Sequence, residues 1–310
     1  MSEKRKRKSF LLDDEETNSS VITNHKIEVS GERLKYRTVQ SNSTKIEDEI
    51  RSHSELKKQY NIDLNLPDNR VAVLLNDLHY EFMPPVMDKV YEFVSKTEHI
   101  RNNIQFSLDT NGRLNKILNR EKVFQNWTDL KENGLKDIDF IKNLKKDNPA
   151  QYKNILSEGD LQFATTNNKL ELDYQRDLLY LVLFDKHIKA VDLSNIPSEE
   201  YIYTSQLFPK VQIPMEIRYD VIEENEKSIT LRKVADSILD DTLLKKIEEQ
   251  YNILHKPLIK YSFTEYKLTF RTRYTVDKNT RIINDAELTI IEDVEHNIQS
   301  TCKYNLRKLD

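Results

Sequence analysis

Apolar and polar residues alternate over long stretches near both ends of the chain and take up a helical rhythm between them. Residues 25–39 alternate on both sides of Gly31. Ile27 and Val29 share one face and Leu34 and Tyr36 another, which predicts a β-hairpin. Ile104, Phe106 and Leu108 alternate up to Asn111-Gly112, and Leu114 to Leu118 continue beyond it. Asn-Gly between alternating runs is a strong hairpin signal. Val211, Ile213, Met215, Ile217, Tyr219 and Val221 predict a strand that turns at 223–226 and returns through Ile229 and Leu231. Further strands are expected at 257–263, 266–276, 281–291 and 294–306.

Helical spacing appears elsewhere. Thr44 and Glu47 form a capping-box pattern, and Ile46, Ile50, Leu56 and Tyr60 follow, predicting a helix over 44–60. Val71 to Leu75 fit a strand or a buried helix, and Pro84-Pro85 interrupts what precedes it. Asn119 is placed to cap a helix bearing Val123, Phe124, Trp127 and Leu130, ended by Gly134. Ile138, Phe140, Ile141 and Leu144 predict a second helix, ending before Pro149. Helix-like pieces follow at 150–157 and 160–188, and another at 238–254.

These elements predict an α+β fold of antiparallel sheets from both ends with a mostly helical middle. The division is a disordered tail at 1–20, a β-rich first half at 21–118, a helical region at 119–206, and a β-rich second half at 207–310 with one helix at 238–254. Two segments are alike: Asp109-Thr-Asn111-Gly-Arg113-Leu114 and Asp277-Lys-Asn279-Thr-Arg281-Ile282. With turns matched near Gly31 and Asn225, and helices ending near Tyr60 and Tyr251, the pattern leaves two readings: an internal duplication, or two β-rich segments that share alternation and Asp/Asn turn residues without one.

Composition removes many functions. Lys plus Arg number 48 and Asp plus Glu 52, a net charge of −4. This balance gives no general attraction to phosphate backbones or anionic membranes. Lys4 to Lys8 form one basic block, and Asp13 to Glu16 answer it. The pair reads as a solvated terminus rather than a localisation signal or nucleic-acid arm. Cys302 is the single cysteine, so no intramolecular disulfide forms, which fits a reducing compartment. No apolar leader is visible. The longest apolar run, Leu178 to Phe184, is far too short to span a bilayer, which takes about 20 helical residues. A cytoplasmic protein without a membrane span is expected.

Only four glycines occur, and neither phosphate-binding loop motif nor nucleophile elbow is present. Histidines 25, 53, 79, 99, 187, 255 and 296 are dispersed, so no metal motif forms. Asp109, Asn111 and Gly112 lack the later carboxylate of a calcium loop and read as a turn. Asp77 near His79, and Asp185 near His187, are local acid–histidine pairs, each expected to be structural. Cys302 is expected to be a packed thiol. Phe124 and Trp127 read as a helix core face, with Tyr152 nearby, rather than a ligand wall. Tyr261, Tyr266, Tyr274 and Tyr304 lie among Lys260, Lys267, Arg271 and Arg273. Without a basic excess they suit sheet faces rather than base stacking. No catalytic, cofactor-binding or metal residue is expected, and no nucleic-acid partner. The leading expectation is a non-enzymatic protein–protein interaction or adaptor component of a larger bacterial assembly. The alternative is a carrier that holds an apolar ligand in a curved-sheet cavity under 213–231 and 257–306. An enzyme without recognisable motifs stands third.

Overall fold

The computed structural model describes residues 31–310. The 1–20 segment, with its basic block and acidic run, and the first arm of the 25–39 hairpin lie outside the described residues. In chain order, β1 (Glu32–Ile46), β2 (Glu49–Asn65) and β3 (Arg70–Met83) lead to α1 (Tyr91–Arg101), β4 (Asn103–Leu108) and β5 (Leu114–Ile117). Helices α2 (Arg120–Asp129), α3 (Asp139–Asp147), α4 (Pro149–Phe163), α5 (Lys169–Arg176) and α6 (Leu178–Leu183) follow. The chain then runs through β6 (Glu199–Thr204), β7 (Gln212–Glu224), β8 (Ser228–Ser237), α7 (Asp241–Leu254), α8 (Lys256–Ile259), β9 (Tyr266–Asp277), β10 (Ile283–Val294) and β11 (Ile298–Leu309).

The class is α+β, as the patterning predicts. All eleven strands belong to one antiparallel sheet, in the order β5-β4-β3-β2-β1-β11-β10-β9-β8-β7-β6. The first and last of these strands meet at its centre, where β1 pairs with β11 from Lys35↔Leu309 to Ile46↔Ile298.

Cross-sheet contacts show that this sheet curls until its edges meet. Strands sit about 4.8 Å apart, so β6 and β10 would be roughly 19 Å apart on a flat sheet. Yet Tyr203 of β6 donates a hydrogen bond to Glu292 of β10 at 2.8 Å. The outermost strands, β5 and β6, would be roughly 48 Å apart when flat. Instead Arg113, at the head of β5, is ion-paired with Glu199, the first residue of β6. The seam is therefore closed by side chains rather than by a strand ladder.

An eleven-stranded closed sheet leaves an interior wide enough for a helix, and α6 lies among the buried core. Its sequence Leu-Leu-Tyr-Leu-Val-Leu has no polar face, as suits a helix packed on most of its sides. Leu179, Tyr180, Val182 and Leu183 are all buried. The Tyr180 ring packs on Phe106 of β4, Tyr174 of α5 and Phe184. Asp177 caps the helix by accepting from Leu179 N at 3.0 Å. A second cluster lies under α2 and α4. Trp127 stacks on Phe163 with ring centroids 5.3 Å apart, and its Nε1 donates to Asp160. Gly159 lies so close that a Cβ there would be 2.2 Å from the Trp127 ring.

Two expectations are corrected. Residues 44–60 are strand, not helix: β1 ends at Ile46 and β2 begins at Glu49. Ile46, Ile50, Leu56 and Tyr60 are all even-numbered, so their spacing satisfies a two-residue period as well as a helical one. Glu47 and Asp48, with φ of 55° and 49°, make the tight turn between them. Residues 256–259 form α8 rather than a strand, because Pro257 lies in the first turn of a helix that Lys260 ends in the left-handed region. The hairpin about Gly31 has its first arm outside the described residues; its second arm, β1, pairs with β2 and, from Lys35 onward, with β11.

Element order repeats as three strands, a helical segment and two strands: β1 to β5 around α1, then β6 to β10 around α7 and α8, with β11 bridging β1 and β10. The two similar turns join the fourth and fifth strands of each set. Asp109 Oδ1 accepts from Asn111 N and Arg113 N, and Asp277 Oδ1 from Asn279 N and Thr280 N. The matching element in the first set is α1, not residues 44–60.

Candidate functional site

Inward-facing positions of the sheet are apolar except at a few places where a charged residue replaces the expected hydrophobe. The largest such place is at the seam. Lys233 on β8 points inward and is 3% exposed. Its Nζ donates to Asp185 Oδ2 at 2.6 Å. Arg113 donates to Asp185 Oδ1 through Nε at 2.8 Å and Nη2 at 2.6 Å. The Tyr219 hydroxyl is 3.0 Å from both Asp185 Oδ2 and Glu199 Oε1. Lys186 reaches Glu199 at 3.4 Å. Burial alone would raise the Asp185 carboxyl, but Lys233 and Arg113 outweigh it and hold it well below the usual carboxylate range. The same holds more mildly for Glu199 beside Arg113.

His187 lies beside this centre, fully enclosed. Its ring faces Tyr274 with centroids 5.4 Å apart. Neither ring nitrogen has a hydrogen-bond partner among the described residues, nor does the Tyr274 hydroxyl. Burial drives the imidazole pKa down to about 4, against the opposing pull of Asp185. The neighbouring Asp185 is thus engaged by Arg113, Lys233 and Tyr219, not by His187, and the expected local pair is not an acid–base dyad. The linkage follows. The unfolded chain takes up a proton near pH 6.5 that the folded chain refuses until about 4. Stability is expected to fall by about 3 kcal/mol as pH drops across that window, the shift of about 2.5 units at 1.36 kcal/mol each. Urea titrations at pH 7, 6, 5 and 4 check this; a slope identical in His187→Leu would refute the assignment.

Two smaller inward centres follow the same rule. Glu98 of α1 accepts from Lys58 Nζ at 2.6 Å and from Arg101 Nη1 at 3.0 Å. Burial pushes the Glu98 carboxyl up, yet the two cations bring it below its ordinary value. Glu292 accepts from Tyr203, Ser205, Tyr266 and the backbone of Gln206. These bonds fasten the 205–208 loop to β10.

The other expected residues are scattered. His79 is exposed and 3.2 Å from Glu81, while Asp77 binds the backbone of Leu78. Cys302 is buried near Gln40, and burial pushes its thiol up to about 11, a poor nucleophile. Trp127 is core, Phe124 is exposed and Tyr152 is half-buried. Tyr266, Tyr274 and Tyr304 point inward and are buried, whereas Tyr261 is exposed. Asp109 and Asp277 serve their turns. Among the described residues no group of three or more His, Cys, Asp or Glu is placed to hold a metal ion. An open, polar cleft of about 270 Å³ lies between the β1–β2 and β10–β11 turns, lined by Glu47, Asp48, Asp293, Glu295 and Lys45 among others. Burial and the nearby Glu295 raise the Asp293 carboxyl there. Among the described residues no helix is long and apolar enough to cross a membrane.

No family model matches the chain, and no curated protein matches it. A solved structure described as "lipid-protein interactions in lipovitellin" is similar over 90% of this chain at 10% identity and a TM-score of 0.46. The chain spans 25% of that protein's length.

Proposed function

We propose that this protein is a non-enzymatic binding component that engages a protein partner through its outer surface. The observation that carries this reading is the filled interior. The inward face of β9 is covered along its length: Phe208 lies on Tyr266, Tyr201 and Tyr203 on Phe270, and His187 on Tyr274. The three inward carboxylates Asp185, Glu98 and Glu292 are each held by cations, hydroxyls or backbone donors, so none is left to take a proton from a substrate. These side chains take up the space beneath β9, within the region where an apolar ligand would lie, which weighs against the carrier reading.

The test is tandem-affinity purification from the native host, followed by native mass spectrometry. The expected species is a stoichiometric complex of the 36.8 kDa chain with a second protein and no lipid-sized adduct. A lipid-sized mass removed by organic solvent, with no protein partner, would favour the carrier instead.

A further inference from the structure

The net charge of −4 conceals a spatial separation. Two adjacent strands and one beyond β10 put cations on the convex face of the sheet: Lys35 and Arg37 of β1, Lys303 and Arg307 of β11, and Arg271 and Arg273 of β9. All six are exposed, and none forms an ion pair among the described residues. The carboxylates among them are Asp285 and Glu287 of the intervening β10. Six positive and two negative charges make this face about +4, opposite in sign to the whole chain.

The register neutralises the patch only in part: Asp285 lies directly opposite Arg307 and Glu287 directly opposite Arg273, while Lys35, Arg37, Arg271 and Lys303 have no carboxylate across from them. Arg37 lies directly opposite Arg307 across the β1–β11 pair. Arg273 lies directly opposite Arg232 across β8–β9 and opposite Glu287 across β9–β10, and Arg232 is ion-paired with Asp220. Like charges facing each other across strands destabilise a sheet. Edge strands keep cations to ward off pairing, but β11, β10 and β9 are the middle of this sheet and have no edge to protect.

We propose that the convex face of β1, β11, β10 and β9 is the docking surface for an acidic protein partner. This rests on, and deepens, the binding function above. Charge complementarity identifies the partner as anionic. The two carboxylates in the middle of the patch favour a protein over a nucleic acid. A phosphate backbone meets them with uniform repulsion, whereas an acidic protein can present a basic residue to Asp285 or Glu287. No aromatic side chain of these four strands faces outward, so the face offers no base-stacking platform.

The experiment uses the full chain and a quadruple variant, Arg271→Glu, Arg273→Glu, Lys303→Glu and Arg307→Glu. Probes are an acidic peptide of about 20 residues, glutamate throughout except for two lysines, duplex DNA of about 20 base pairs, and phosphatidylserine-containing vesicles. Far-UV circular dichroism confirms that the variant folds, and the milder set with Gln in place of Glu serves if it does not. The expected result is that the wild-type chain binds the peptide with an affinity falling at least about tenfold between about 0.05 and 0.5 M salt, as screening of exposed charges requires. The variant is expected to lose that binding. Tighter binding to DNA or vesicles than to the peptide, abolished by the same substitutions, would overturn the assignment to protein. Peptide binding unchanged in the variant, or undetectable in the wild type, would overturn the surface itself. The native-host purification separates this failure from that of the function. A partner recovered equally by wild type and variant leaves the binding function standing and removes this face, while recovery of none by either removes the function.

Discussion

Replacing Tyr180 by alanine is expected to cost about 3–5 kcal/mol, the range for deleting a buried aromatic from a core that cannot collapse around the loss. Tyr180 sits on the helix in the middle of the closed sheet and contacts rings from β4, α5 and the segment after α6. Loss of this ring loosens the packing that holds the sheet around α6. Tyr180→Phe is expected to change stability by under about 1 kcal/mol, in either direction. The Tyr180 hydroxyl is buried without a partner among the described residues, so the hydroxyl contributes no bond and its removal spares a desolvation cost. Chemical denaturation of both variants checks the pair. Equal and large losses in both would show that the hydroxyl, not the ring, is what the fold needs.

Asp185→Asn is expected to destabilise by about 3–5 kcal/mol, because it leaves Lys233 enclosed without its counter-charge. Asp185→Leu combined with Lys233→Met is expected to recover most of that loss, since removing both charges also removes both desolvation costs. The pH dependence has a defined sign. The folded carboxyl is depressed, so its contribution is complete above its unfolded pKa of about 3.9 and is lost as the pH falls below that. The acid limb below about pH 4 is therefore expected to flatten in the double variant. If the double variant is as unstable as the single one, the ion pair is not what closes the seam.

Most strands were legible because burial on one face imposes a two-residue period. β9 and β10 follow it along nearly their whole length, β11 through its central part, and β7 through its first half. Residues 44–60 misled because a turn of two acidic residues carries no glycine or asparagine signal, and because even-numbered apolar positions fit either period. Closure into one sheet was not legible. It rests on contacts of Arg113 with partners 72 and 86 residues away, and no local pattern encodes them. Asp185 was visible as a candidate beside His187, but its true partners come from β7, β8 and the head of β5. The convex basic face was hidden in a composition whose charges nearly cancel. Only the register, which sets Arg37 against Arg307 and Arg232 against Arg273, brings it out.

Closure of the sheet through its two edge strands is measured most directly by pulsed electron–electron resonance between spin labels on Lys116→Cys of β5 and Glu200→Cys of β6. Both positions are exposed, and the native Cys302 is buried with a raised thiol pKa, so the labels go where they are placed. The expected separation is below about 25 Å, the contact of Arg113 with Glu199 plus the reach of two labels and a few residues of strand. A separation near 48 Å, the span of ten strand spacings laid flat, would contradict the closed sheet.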